Sequence, residues 1–232
     1  MKLAIMQPYF FPYIGYFQLI AAVDRFIVYD NIKYTKKGWF NRNRILKNGR
    51  DILFSLPLKS DSDFLDVRDR ELAADFKMNK LLNQIKGSYQ LAPYFKQVFP
   101  LVEHIMQYGN FNLFRFLHNS IVKTCEYLRI DTEIEISSDI QIAHTLKNQD
   151  KVIALCKKSG ASIYINAIGG LDLYSKKDFH AKGIELKFIK PMPFEYKQFD
   201  NEFVPWLSII DVLMFNSIDA IGAYLYSNYE LI

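Results

Sequence analysis

The chain has 232 residues, of which 50% are hydrophobic and 23% charged, and its formal net charge is +4. This composition is typical of a globular protein and excludes a disordered chain, while no apolar run reaches the roughly 18 residues of a membrane-spanning helix. The N-terminus is a poor signal peptide, and only two cysteines are present, so we expect a cytoplasmic protein without a disulfide scaffold or a cysteine-based metal site.

The first thirty residues predict a strand, a helix and a second strand. Residues 3–6 are a short apolar run, residues 16–23 carry apolar side chains at helical spacing, and residues 25–29 form a second apolar run. A helix between two such strands predicts a parallel pair with a right-handed crossover.

The rest of the chain predicts an insertion and then a return to alternating strands and helices. We predict strands at 51–58, 132–136, 161–166 and 184–189, and helices at 148–159, 174–182, 207–215 and 218–226. Residues 77–127 have helical periodicity. Residues 1–232 are therefore predicted to form a single α/β domain with a largely parallel sheet, Rossmann-like or nucleotidyltransferase-like, and a mainly helical insertion at about 60–130.

Three loops follow predicted strands, where ligands bind in open parallel sheets. They are residues 7–15, 30–44 and 166–174. The first loop combines an amide, Gln7, with a glycine at the start of a helix, Gly15, and aromatic rings suited to stacking on a base or sugar. Simple packing of the rings is the alternative. The substrate-binding candidates in this loop are Gln7, Tyr13, Gly15 and Tyr16.

The second loop is basic. Residues 31–50 contain seven Lys or Arg and no Asp or Glu, although the whole chain carries only +4. In an extended segment Arg42 and Arg44 share one face, where guanidinium groups can grip a diphosphate, and Lys36 adds a point charge. A solvated basic loop is the alternative. Trp39, an aromatic residue among these basic ones, favours a binding site and is the fourth substrate-binding candidate in this loop.

Three polar residues are candidates for catalysis. Asp30 directly follows a strand, where an acid can serve as a general base, but a turn or helix-capping role is the alternative. Asp211 lies in an apolar helix, where a carboxylate is costly unless it is paired. It could be a partly exposed helix residue, a partner of the basic loop or an acid–base group. Asn41 could stabilise an oxyanion.

The third loop carries Asn166, Gly169 and Gly170 between a strand and a helix. We include these three residues among the binding candidates, although a Gly-Gly turn needs no ligand. The loop is neither GxGxxG nor a P-loop motif, which disfavours a standard dinucleotide fold. The four histidines have no metal-ligand spacing, so we predict no metal and no cofactor.

Several segments resemble the WbqC-like family. They are QPYFFPYIGYF, DRFIVYD and GWFNRNRI near the start, and SSD, the stretch from Gly160 to Gly170, and LSIID later. The resemblance implies a role in bacterial O-antigen and polysaccharide gene clusters, with transfer of an acyl or aminoacyl group, such as glycyl, to an amino sugar. The family's characteristic residues fall at Gln7, Pro8, Pro12, Gly15, Tyr16, Asp30, Trp39, Asn41, Arg42, Ser208 and Asp211.

A second likeness concerns the HxGH signature of nucleotidyltransferase-like folds. The corresponding residues here are Tyr13-Ile14-Gly15-Tyr16. Tyrosine cannot be protonated to a cation beside a leaving phosphate as histidine can. The likeness supports the fold but puts adenylyl transfer in doubt.

Together these features predict a transferase whose partners are a nucleotide-diphosphate amino sugar and an activated acyl or aminoacyl donor. A nucleotidyl- or adenylyl-transfer enzyme and a non-catalytic nucleic-acid-binding module are the alternatives. The localised basic segment argues against a long polyanion track, and we expect no membrane association.

Overall fold

The computed structural model describes residues 1–232 and contains eight strands and eight α-helices. The strands are β1 (Lys2–Met6), β2 (Arg25–Val28), β3 (Arg42–Lys47), β4 (Arg50–Ser55), β5 (Glu133–Ile136), β6 (Ile163–Ala167), β7 (Glu185–Pro191) and β8 (Tyr229–Leu231). The helices are α1 (Ile14–Ala21), α2 (Met78–Tyr89), α3 (Phe95–Met106), α4 (Leu113–Leu128), α5 (Asn148–Lys158), α6 (Lys176–His180), α7 (Ile209–Phe215) and α8 (Ile218–Ser227). None of these helices combines the length and apolarity needed to cross a membrane.

Six strands form the central sheet, in the order β5-β2-β1-β6-β7-β8. All neighbours are parallel except β8, which runs antiparallel to β7 at one edge. The predicted α/β class with a largely parallel sheet is therefore confirmed. When the separate β3-β4 hairpin is set aside, the strand order matches that of doubly wound Rossmann-like sheets.

The alternation of side chains along β1 divides the core between the two faces of the sheet. Leu3 and Ile5 pack with α5 and α6 on one face, and Ala4 packs on the other face with α1 and the inserted helices. Helices α2, α3 and α4 lie between β4 and β5 in the chain, within residues 60–130. The first strand is thus buried from both sides, as parallel strands are.

Part of the second predicted loop is a strand. Residues 42–44, expected to lie in a loop, begin β3, which pairs in antiparallel register with β4. The turn between them is Asn48-Gly49, and both residues have positive φ, 51° and 73°. This is the two-residue hairpin turn that Asn-Gly favours. The short strand β8 was also not predicted, and β7 extends to Pro191 instead of ending before it.

Candidate functional site

A cleft lies where the chain changes direction across the sheet, at the carboxyl ends of β1, β6 and β7. Strand β2 flanks β1 on one side and β6 on the other, so this is the switch point at which such sheets bind ligands. The cleft contains a central cavity of about 520 Å³, a volume in the range of small-molecule sites. Its lining includes Met6, Tyr9, Pro12, Tyr13, Gly15, Tyr16, Trp39, Asn43, Arg44, Ala167, Ile189, Lys190 and Trp206.

Two smaller cavities adjoin the central one. The glycine-side cavity, of about 330 Å³, shares Met6, Tyr9 and Ala167 with it and is lined by no charged residue. Its polar groups are Gln7, Tyr9, Tyr29, Asn166 and Tyr174. The aromatic cavity, of about 260 Å³, shares Tyr13, Pro191 and Trp206 with the central cavity. The three cavities therefore form a continuous row along the ends of the strands.

The first loop is held in place by side chains from distant parts of the chain. The Nδ2 of Asn43 donates hydrogen bonds to the carbonyl oxygens of Phe10 and Phe11, at 3.0 and 2.8 Å. The Oγ of Ser208 donates to the same Phe11 oxygen at 2.8 Å. Phe11 has a φ of 41°, a conformation that a bulky residue holds only when its surroundings enforce it. These contacts tie the loop to β3 and α7.

Gln7 is positioned by two tyrosines that line the central cavity. The Tyr16 hydroxyl donates to the Gln7 carbonyl oxygen at 2.9 Å, and the Tyr9 hydroxyl donates to Gln7 Oε1 at 3.0 Å. Gln7 lines the glycine-side cavity, where its Nε2 group is a potential hydrogen-bond donor to a ligand. The structure thus brings Gln7, Tyr13, Gly15 and Tyr16 to one cleft, with Tyr13, Gly15 and Tyr16 in the central cavity.

Burial keeps the phenols of this loop neutral. It raises the pKa of Tyr13 and of Tyr16 well above the usual value of a tyrosine, and it also raises the pKa of Tyr9. At neutral pH these side chains therefore act as hydrogen-bonding phenols and carry no charge.

The only charged residues that line the central cavity are Arg44 and Lys190. Arg44 donates through Nη1 to Asp51 and through Nη2 to the Trp206 carbonyl oxygen, both at 3.1 Å, while its buried Nε has no protein partner. Its guanidinium lies 5.8 Å from the Trp39 ring centroid. Lys190 in turn pairs with Glu230 at 3.7 Å. The side of the cavity formed by β3 and β7 therefore presents two cations, each paired with a carboxylate that lies outside the lining.

The other basic candidates lie outside the three cavities. Arg42 donates from Nε to the Gly38 carbonyl oxygen at 3.1 Å and sits 6.0 Å from the Trp39 ring centroid. Lys36 is exposed and pairs with Asp63 at 2.9 Å. Of the basic loop, the structure brings Trp39, Asn43 and Arg44 to the central cavity and leaves Arg42 and Lys36 away from it.

Asp30 is buried beside the glycine-side cavity without lining it. Its Oδ1 accepts hydrogen bonds from the Ser137 hydroxyl at 2.6 Å and from the Ser138 amide at 2.9 Å. These bonds join the ends of β2 and β5. The carboxylate therefore holds two strand ends together, next to Tyr29, which does line the cavity.

Asn41 and Asp211 are also placed in supporting positions. Asn41 accepts from the Tyr34 hydroxyl and donates to the Leu56 carbonyl oxygen. Asp211 is fully buried and accepts three hydrogen bonds of 2.7 Å, from Tyr89, Tyr196 and Gln198. None of the three predicted catalytic side chains therefore lines the central, glycine-side or aromatic cavity.

The third loop forms the glycine-side cavity. Asn166, Gly169 and Gly170 all line it, and Asn166 is 5% exposed. A Cβ atom at Gly170 would stand 2.2 Å from Asn166 Nδ2, whereas one at Gly169 would meet nothing within 4 Å. Gly170 is therefore required for the close approach of the Asn166 amide. No group of three or more His, Cys, Asp or Glu side chains is placed to hold a metal ion.

Sequence reasoning missed one whole side of the cleft. Lys190, Trp206 and the segment that lines the aromatic cavity, residues 191–207, were not among the predicted site residues. A signal was present, because aromatic residues recur at positions 194, 196, 199, 203 and 206 of a loop. Loops are usually polar, so such a density of rings indicates packing or binding.

Comparisons with known proteins place the sequence among relatives. The sequence model of the WbqC-like protein family matches residues 7–223, which include all the cavity-lining loops. The chain is 29% identical over 218 residues to the uncharacterized protein Rv1507c of Mycobacterium tuberculosis, and the match covers 91% of this chain and 92% of that protein. No solved structure matches.

Proposed function

We propose that this chain, which belongs to the WbqC-like protein family, transfers an acyl or aminoacyl group, such as glycyl, to the amine of a nucleotide-linked amino sugar in bacterial surface-polysaccharide biosynthesis. The family resemblance of the sequence suggests the reaction. The observation that carries the proposal is a central cavity with cationic residues as its only charged lining and a further cavity at each end.

The charges of the central cavity favour a diphosphate. Arg44 and Lys190 line it and no carboxylate does. Their ion-pair partners, Asp51 and Glu230, are solvent-exposed and lie outside the lining, so these pairs are weak and leave both cations able to bind a phosphate. A guanidinium and an ammonium group both bind phosphate oxygens well, and in a cleft with low-dielectric walls their field is concentrated. The aromatic rings of Tyr9 and Trp39 in the same cavity offer faces and edges to a base or a sugar.

The glycine-side cavity suits the nucleoside. It is uncharged, and its amide and phenol groups, Gln7, Asn166 and Tyr29 among them, are the kinds of donor and acceptor that recognise a base edge or ribose hydroxyl. A nucleotide-linked sugar would then extend from this cavity, past the cationic wall, toward the end where Tyr13 and Trp206 stand.

The transfer reaction mainly requires that the two substrates be held close together and correctly oriented. The sugar nitrogen attacks the donor's carbonyl carbon, a C–N bond forms, and the bond from that carbon to the oxygen or sulfur of the donor's carrier breaks. The proton that the nitrogen loses leaves with the carrier. Adjoining compartments that hold both substrates supply the orientation, which is worth up to roughly 7–11 kcal/mol in favourable cases. We assign Asp30 and Asp211 to positioning the loops.

Nucleotidyl transfer, the alternative enzyme class, is less well supported. Tyr13 and Tyr16 stand where that chemistry uses histidines, and their raised pKa values keep them neutral. A neutral phenol can donate one hydrogen bond to a leaving phosphate but brings no positive charge. The nucleic-acid-binding alternative is less well supported because the basic residues are confined to one short segment of a chain whose net charge is only +4, whereas a long polyanion needs an extended basic groove.

Binding and transfer can be tested in sequence. Calorimetric titration with UDP-glucosamine and with thymidine diphosphate amino sugars should give saturable binding to the wild type. Arg44→Met should weaken it by about tenfold or more, because a charge-assisted hydrogen bond to phosphate is lost. Incubation of the bound sugar with acyl thioesters and aminoacyl esters should then add the corresponding acyl mass to the sugar nitrogen.

The matched control is Lys36→Met, which removes one positive charge from the same basic segment but outside the cavities. It should bind as the wild type does. Because Arg44 also bonds Asp51 and Trp206, thermal unfolding must show that its variant is folded, and Lys190→Met provides a second, independent test. Absence of binding by the wild type, or undiminished binding by both variants, would contradict the proposal.

A further inference from the structure

The aromatic cavity differs from the other two in its chemistry. Glu195 is the only charged residue that lines it, and most of the remaining lining is aromatic or proline. The aromatic residues are Tyr13, Phe194, Tyr196, Phe203, Trp206 and Tyr224. A cavity with this lining has little to offer an anion and no cation to neutralise its single carboxylate.

The rings that line the cavity form two groups of rings in contact. The ring centroids of Phe194 and Tyr196 lie 5.4 Å apart, those of Tyr196 and Phe203 5.2 Å apart, and those of Tyr13 and Trp206 5.2 Å apart. Aromatic faces carry negative electrostatic potential and attract organic cations within about 6 Å. A box of several rings with one carboxylate is therefore complementary to an ammonium group.

Glu195 is available for such a ligand. It takes part in none of the ion pairs of the structure, whereas Lys197, two residues along the chain, pairs with Asp200 at 3.0 Å. An unpaired carboxylate beside aromatic rings leaves an attractive potential for a cation.

We propose that the aromatic cavity binds the ammonium group of the donor, so that the donor is an aminoacyl compound and not a simple acyl one. This inference rests on the proposed function. The acceptor's amine must be neutral to attack a carbonyl carbon, so a cavity built for an ammonium group suits the one amine that does not react. That amine is the α-amino group of an aminoacyl donor.

The position of the cavity agrees with this role. It shares Tyr13, Pro191 and Trp206 with the central cavity. In an α-aminoacyl group a single carbon separates the ammonium nitrogen from the carbonyl carbon. A donor whose ammonium lies in the aromatic cavity therefore presents its carbonyl near this shared wall, beside the cavity assigned to the sugar.

Trp206 lies in the wall that the aromatic and central cavities share, and its fluorescence can report ligand binding there. Its φ of 61° is rare for a tryptophan, and its carbonyl oxygen accepts from Arg44 Nη2 while its ring contacts Tyr13. The chain has one other tryptophan, Trp39. In a Trp39→Phe background, the indole fluorescence therefore comes from Trp206 alone.

The experiment titrates this background with glycinamide at about pH 6, where its amine is protonated, and with propionamide, its uncharged isostere. We expect glycinamide to change Trp206 fluorescence saturably and propionamide to bind about tenfold more weakly or not at all. Glu195→Gln should weaken glycinamide binding by about threefold to tenfold, a range set by the exposure of this carboxylate. Phe203→Leu should weaken it as well.

The matched control is Glu202→Gln, which removes an exposed carboxylate of the same segment that does not line the cavity. Its glycinamide affinity should equal that of the background. Equal binding of the two amides, or unchanged glycinamide binding by Glu195→Gln, would overturn the inference.

A parallel titration of the wild type, which keeps Trp39, with UDP-glucosamine separates the two proposals. Loss of the expected glycinamide behaviour with intact nucleotide-sugar binding overturns only the aminoacyl assignment. If glycinamide binds as expected but the nucleotide sugar does not bind at all, the proposed function is overturned. The ammonium site would then still exist, but its role in aminoacyl transfer would be wrong.

Discussion

The two ends of the cleft are built in different ways. The glycine-side end consists mainly of residues at or shortly after the ends of β1, β2 and β6, so hydrogen-bonded strands fix most of it. The aromatic end consists mainly of residues 192–207, a segment without regular secondary structure after β7. Its shape must therefore be fixed by side chains.

Asp211 is its main side-chain anchor. Tyr196 and Gln198 of the segment donate to this buried carboxylate, and so does Tyr89 of α2, whose hydroxyl also accepts from the Leu46 amide. Gln198 in turn exchanges two hydrogen bonds with the backbone of Val204. One carboxylate thus joins the segment to a helix and to β3. Arg44 and Tyr224 also donate to backbone carbonyl oxygens of the segment, at Trp206 and Met192. The strand-built end is thus held by backbone ladders, whereas the aromatic end is held by a few side-chain anchors, of which Asp211 makes the most hydrogen bonds.

Asp211→Ala should have the largest effect and tests most directly whether the two ends are held differently. It leaves three buried donors without their acceptor, and we expect the free energy of unfolding to fall by about 3–5 kcal/mol. If the protein remains folded, glycinamide binding at the aromatic end should be lost and nucleotide binding at the glycine-side end retained. Urea unfolding and the two titrations measure these effects.

The control is Asp200→Ala, in the same segment but exposed and paired only with Lys197. It should change stability by less than about 1 kcal/mol. Equal losses from the two variants, or an aromatic end that still binds without the Asp211 carboxylate, would show that the segment is held by other contacts.

The same contrast explains what the sequence could predict. Local apolar runs identified β1, β2, β5, β6 and β7, and the rule for parallel sheets placed the loops after β1 and β6 at the cleft. The hairpin was missed because its charged strand β3 looked like a basic loop, although Asn48-Gly49 between alternating residues is a hairpin signal. Recognising that turn would have placed Asn43 inside and Arg44 at the cleft.

The aromatic end could not be derived in this way. Its support joins Asp211 to Tyr89, 122 positions away in the chain. No periodicity within either segment encodes such a contact. The apolar surroundings of Asp211 showed only that it needed partners. The packing of α2 and α7 decides which partners Asp211 has. It also makes the Asp211 side chain face the core and not the basic loop.

Gly170→Ala tests the strand-built end. The added Cβ would stand 2.2 Å from Asn166 Nδ2, the end of a side chain that can turn aside, so stability should change by about 1 kcal/mol or less. The Asn166 amide would, however, leave its place in the cavity. UDP binding should weaken by up to about tenfold, the effect of one lost hydrogen bond, and glycinamide binding should be unaffected.

Gly169→Ala is the matched control, since a Cβ there meets nothing within 4 Å. It should bind UDP within about twofold of the wild type, because no protein atom has to move. A weaker UDP affinity in this variant than in Gly170→Ala would contradict the assignment of Asn166 to nucleoside recognition.

The smallest effect is a pH dependence of the aromatic end. Burial raises the pKa of Asp211 above its usual value, against the opposing effect of its hydrogen bonds from Tyr196, Tyr89 and Gln198. The folded state therefore holds a proton on this group at pH values where the unfolded chain has released it. This contribution to stability is fully present below the unfolded pKa and is lost as pH rises through the folded one.

Asp211→Asn removes this titration while leaving every other carboxyl group in place. The free energy of unfolding of the wild type relative to this variant should therefore fall as pH rises from about 4, by at most about 1.4 kcal/mol for each unit of pKa difference. The neighbours Tyr89 and Tyr196 do not titrate in this range, because burial raises the pKa of both. If the difference in the free energy of unfolding stayed constant or rose with pH, the pKa of Asp211 would not be raised. The three hydrogen-bond donors would then keep Asp211 ionised in the folded state over this pH range.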